Sequence, residues 1–204
     1  MSLYAIFHNL LLRIGFDKLT INKHWETLEK AYSSKNRKYH NLTHLENMMT
    51  LYKRDKDKLT HSDEIVYALF YHDIIYKVTR KDNELESAKL AIKLLPEFAK
   101  IDKELVFEMI CATQLHEHQE KETINWLLDF DLQILASPWE EYFIYSKQIR
   151  QEYKIYPNIL YNPGRKKALQ HFLERDFIFQ TEVFRTQYET KARENIKKEI
   201  LLLL

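Results

Sequence analysis

His44, the adjacent pair His72-Asp73 and Asp131 place imidazole and carboxylate groups in largely apolar stretches of this chain. A carboxylate buried among apolar side chains is costly unless it is paired. A divalent metal suits both donor types, and the chemistry it brings is hydrolysis by an activated water. In Ala68–Tyr76 the imidazole and the carboxylate are neighbours. Adjacent helical residues point about 100° apart, so both can grip one ion from neighbouring flanks of a helix. His40 and His44 share a helix face if the helix already includes His40, one binding metal and the other a substrate anion. Asp129 and Asp131 point in different directions on a helix, so one of the two is the ligand and the other its reserve.

The order His, His-Asp, Asp on successive helices resembles the HD superfamily of metal-dependent phosphohydrolases. The segments YHNLTHL, FYHDIIY, DNELESA, ATQLH, DFDLQILA, IRQEY and GRKKAL resemble a predicted hydrolase family of about 200 residues within it. The match runs from about Tyr39 to the C-terminal helix. The resemblance implies an all-α, single-domain bundle over 1–204, with core motifs at 39–136, C-terminal helices at 138–204 and a metal site where helices meet. It makes His44, His72, Asp73 and Asp131 the expected ligands, with Asp129 in reserve because the family has an aspartate at both positions. It also singles out His116 for catalysis beside Asp73 and Asp131, and Arg150 and Arg165 for phosphate, to which His40 is added.

Composition agrees with a helical chain. Of 204 residues 45% are hydrophobic and 30% charged, with only two glycines and four prolines. So few breakers disfavour a sheet with many tight turns, and the length suits one sizeable domain. A net charge of +1 supplies no global field for nucleic acid or an acidic membrane. Cys111 is the single cysteine, which excludes an internal disulfide and a thiolate zinc site and reads as a buried helix residue. No stretch approaches the roughly 20 apolar residues of a membrane span, and the short N-terminal apolar run has no cleavage site after it. The expected location is the cytoplasm. The closing leucines, Leu201 to Leu204, are expected to dock a last helix or form a subunit contact, which makes a homo-oligomer compatible with the sequence.

Helical periodicity positions the candidates. Trp25, Leu28, Ala31 and Tyr32 mark one helix face, ending near Ser33–Asn36. The next helix carries His44 to about Arg54. Thr60 and Asp63 resemble a capping box opening the buried helix of His72 and Asp73. Asp82 to Leu95 forms another helix, closed by Pro96. Further helices cover about 102–118, on which Thr113 and His116 share a face, then 124–136 and 138–153. Pro157, Pro163 and Gly164 mark an irregular connection before helices at 165–175 and 182–203.

Two imidazoles and two carboxylates suit manganese, iron, cobalt, nickel or zinc, with manganese or iron placed first; a second metal is compatible with His40 and His116. The expected reaction is attack of a metal-activated water on phosphorus in a small phosphorylated molecule, nucleotides included, with Asp73 or Asp131 orienting or deprotonating the water. Asn83, Glu84 and Glu86 are placed to hold the ligands or the water, or simply form an acidic first turn. Two further functions fit the same residues: a di-iron oxygenase and a nucleotide-sensing module without turnover.

Overall fold

The computed structural model describes residues 1–203, and among them there are ten α-helices and no strand. They form two units, Met1–Leu127 and Leu128–Leu204. In the first unit lie α1 (Leu3–Ile14), α2 (Lys18–Tyr32), α3 (Leu42–Asp55), α4 (Ser62–Tyr71), α5 (Asn83–Leu94) and α6 (Lys103–Ala112). Helix α7 (Glu122–Leu132) runs across the boundary. The second unit adds α8 (Trp139–Glu152), α9 (Asn158–Glu174) and α10 (Glu182–Leu202).

Helix α4 is the centre of the first unit, packing against α1, α3, α5 and α6. Every residue from Ile65 to Tyr71 is buried, as a helix that is apolar all round must be. Local sequence sets the helix ends around it. The side chains of Ser2, Asp17, Asn41 and Asp102 accept from backbone N–H groups at the starts of α1, α2, α3 and α6. Gly15, at φ 112, closes α1 with its N–H on the Leu11 and Leu12 carbonyls. In the second unit α10 packs on α8, α9 and the 3-10 turn Gln133–Ala136. Its buried Asn195 donates to the carbonyls of Leu135 (2.9 Å) and Ser137 (2.8 Å).

Several boundaries differ from expectation. α1 was not evident as a helix in the sequence, because His8, Asn9 and Arg13 interrupt its apolar run. The capping box at Thr60 does not form: His61, at φ 55, precedes α4, and Thr60 pairs its hydroxyl with Thr123 (2.9 Å). α6 stops at Ala112, so His116 lies past its end in a left-handed conformation at φ 52. Pro163 and Gly164 do not break the chain, since α9 passes through both. Pro163 forfeits only its own N–H bond to Ile159, a residue 81% exposed whose carbonyl water can reach. Leu201 and Leu202 are exposed rather than docked, and Leu204 lies outside the described residues. No described helix is long and apolar enough to cross a membrane.

Candidate metal centre

The site is built at the end of α4. The last four carbonyls of a helix lack intrahelical donors, and here each finds one. Ala68 O accepts from the His72 backbone N–H (2.8 Å), Leu69 O from the His72 ring (2.9 Å), Phe70 O from the Tyr32 hydroxyl (3.1 Å) and Tyr71 O from Ile74 N–H (3.1 Å). His72 is therefore the residue that ends α4, and Asp73 lies just beyond it, so the two do not sit on adjacent flanks of a helix.

The Leu69 contact fixes the chemistry of His72. A carbonyl oxygen only accepts, so His72 Nδ1 carries the proton, and in the neutral ring Nε2 keeps its electron pair. That Nε2 lies 3.3 Å from His44 Nε2 and 3.3 Å from Asp73 Oδ2. Either a proton on His72 Nε2, shared between the Asp73 carboxylate and His44 Nε2, or a cation bound there answers both contacts. Ligands about 2.0–2.1 Å from a common ion stand about 2.9–3.4 Å apart in octahedral or tetrahedral geometry, which brackets the spacing seen. His44 (2% exposed), His72 (1%) and Asp73 (8%) are all buried, and an imidazole at a helix C-terminus favours positive charge nearby.

His44 reaches this point from the first turn of α3, where the Asn41 carboxamide oxygen accepts from the N–H groups of Thr43 (2.9 Å) and His44 (3.4 Å). Asn41 as cap places His40 outside the helix, correcting the shared-face expectation. The His40 ring instead stacks on Tyr76 (4.3 Å between centroids) and stands 6.0 Å from His44. Tyr39 packs 4.9 Å from the His44 ring. Sequence reasoning missed Arg37, whose buried guanidinium donates to the carbonyls of Asp73 (2.6 Å), Ile74 (2.9 Å) and His40 (3.3 Å). It also missed Ser87. The start of α5 grips the segment after Asp73, Asn83 by two bonds to the Lys77 backbone (3.0 Å each) and Ser87 by bonds to Ile75 N–H (3.0 Å) and O (3.3 Å). Asn83 thus steadies the ligand-bearing segment. Glu86 pairs with Lys89 (2.9 Å), while half-buried Glu84 adds to the burial that pushes the Cys111 thiol up. Cys111 is half-buried rather than fully buried.

The second unit holds the remaining candidates. Asp129 is fully buried, and its oxygens accept from Gln180 N–H (2.6 Å), Thr181 N–H (2.8 Å) and the Thr181 hydroxyl (2.7 Å). Burial pushes its carboxyl up to about 7 against the pull of those donors. Asp129 therefore holds the entry to α10, where Thr181 is the N-cap. Asp131 lies half-buried in the last turn of α7. Burial, more than the Asp131 charge, raises the phenol of Tyr145 on α8. The two arginines expected to meet phosphate have structural partners. Arg165 pairs with buried Glu199 (2.8 and 3.1 Å), and Arg150 donates to Asn158 (2.9 and 2.7 Å) and to the carbonyls of Tyr153 and Tyr156 (3.0 Å each).

No protein-family model, curated protein or solved structure matches this chain.

Proposed function

We propose that the protein is a metal-dependent phosphohydrolase of the HD type, with His44 and His72 as ligands to a divalent transition metal, Asp73 next to His72, and Asp131 the further ligand that the family resemblance implies. The observation that supports this reading is the approach of two buried imidazoles, His44 Nε2 and His72 Nε2, to 3.3 Å, with the Asp73 carboxylate 3.3 Å from His72 Nε2. The mixed nitrogen and oxygen donors suit manganese or iron, then cobalt, nickel or zinc. When bound, such an ion lowers the pKa of a water and neutralises charge on a phosphoryl group.

The chain's own residues supply the rest. His72 is held in one tautomer and cannot rotate without losing its Leu69 bond. Asp73, with its backbone pinned, orients a water or takes its proton. His40, against the Tyr76 ring, and His116, in its left-handed turn, are the imidazoles we assign to a leaving group or a phosphate oxygen. Arg150 and Arg165, the arginines expected to meet phosphate, are held by Asn158, by Glu199 and by the turn after α8. The substrate is a small phosphorylated molecule.

Turnover of a phosphoester and nucleotide panel under added manganese tests the proposal, comparing wild type with Asp73→Asn. Metal-dependent phosphate release that falls at least 100-fold in the variant supports it. Tight nucleotide binding without release in the metal-loaded wild type would replace it with a sensing role, and oxygen-dependent consumption with two irons bound would replace it with an oxygenase.

A further inference from the structure

Arg37 is a buried cation in a place where the proposed metal reading needs electron pairs, and its contacts explain why. The residue is 8% exposed, between α2 and α3. Its guanidinium carbon lies over the Tyr32 ring at 4.7 Å and the Tyr76 ring at 5.4 Å, so aromatic faces balance part of its charge. Its amino groups donate to three carbonyls from two chain segments: His40, four residues before His44, and Asp73 and Ile74, the two residues that follow His72. One planar fork thus spans both sources of the ligands in this unit. The fork shape matters, because a lysine ammonium at the end of a flexible stem cannot fix three acceptors in one plane.

We infer that Arg37 is a positioning residue for the metal centre, setting the segment of His72 and Asp73 against the segment that leads into His44. The inference rests on the proposed metal site and adds to it a residue that touches neither metal nor substrate. Without the fork, two buried carbonyls and a half-buried one lose this donor, and the chain after His72 is free to shift by the few tenths of an ångström that separate a good ligand from a poor one.

The test measures metal binding rather than turnover. Titration with Mn²⁺ by calorimetry and the visible spectrum after Co²⁺ addition are compared for wild type, Arg37→Lys, Arg37→Gln and Tyr32→Phe, each first checked for helical circular dichroism. Loss of a residue that orients metal ligands costs about 10–100-fold in affinity. Arg37→Gln is expected to lose affinity in that range with altered Co²⁺ bands, and Arg37→Lys, which keeps the charge, to recover only part. Tyr32→Phe removes a bond to the same helix end, at Phe70 O, and is expected to bind as wild type does, separating positioning from general stability. If either arginine variant is the only one that folds, it decides alone. Wild-type affinity and spectrum in a folded arginine variant would overturn the inference while leaving the metal site standing. Full restoration by lysine would overturn it in favour of charge alone. A wild type that binds neither ion would overturn the metal reading and this inference together.

Discussion

Asp129→Ala would leave the N–H groups of Gln180 and Thr181 without an acceptor at a position that has no solvent exposure. Each orphaned buried N–H costs about 1–3 kcal/mol, so the pair sets a range of about 2–6 kcal/mol. The Thr181 hydroxyl can turn away, since it still accepts from Phe184 N–H at the start of α10. Removing a desolvated carboxyl returns part of the loss, because burial pushes Asp129 up to about 7. The net expectation is about 3 kcal/mol, which for a chain of this size lowers the melting temperature by about 6–12 °C. Circular dichroism at 222 nm on heating, with a urea series at 25 °C, measures it. Asp131→Asn is the matched control: it should melt within about 2 °C of wild type in the absence of metal and lose metal binding. A stable Asp129→Ala that binds no metal, beside an Asp131→Asn that does, would reverse the assignment of the two aspartates.

Three other perturbations follow. Asp55 is 2% exposed; burial works against its anion, but Lys58 (2.7 Å) and Arg54 (2.5 Å) outweigh it and hold its carboxyl below the ordinary 3.8. A depressed folded pKa contributes stability that is complete above the unfolded value and is lost as pH falls through the folded one, so Asp55→Asn should flatten the urea-midpoint curve below about pH 4 and leave its shape unchanged between pH 6 and 8. Arg165→Met strands the buried Glu199 carboxylate and is expected to cost about 3–5 kcal/mol, most of it recovered in Arg165→Met/Glu199→Leu; an unchanged urea midpoint in the single variant would contradict the structural role. Pro163→Ala restores an N–H inside α9 and should raise the melting temperature, the helical gain of about 3 kcal/mol exceeding the roughly 1 kcal/mol of unfolded-state entropy that proline removes.

The fold was legible where helices carry their own punctuation. α3, α5 and α10 lie close to the helix expected to carry His44 to about Arg54, the helix expected from Asp82-Asn83, and the helix expected at 182–203. The end of α4 was hidden, because Tyr71 to Tyr76 continues the apolar run without glycine or proline and what stops the helix is donors from elsewhere: Tyr32, the His72 ring and Arg37. Arg37 carried no signal of its own among Lys35, Asn36 and Lys38, since a buried arginine in sequence looks like an exposed one. Asp129 and Asp131 were indistinguishable in the chain; the partners of Asp129 are contributed about fifty residues later, at Gln180 and Thr181. Pro163-Gly164 read as a break because its local propensities favour one, yet the helix bearing Tyr161, Arg165 and Leu169 continues through it.

The most direct measurement is metal content by mass spectrometry on protein purified without chelator, for wild type, His44→Ala and His72→Ala, with circular dichroism on each. A convergence of His44, His72 and carboxylate on one ion predicts near-stoichiometric transition metal in wild type and less than a tenth of it in both helical variants. A folded wild type that carries no metal and takes none up from added manganese, iron, cobalt, nickel or zinc would contradict the account.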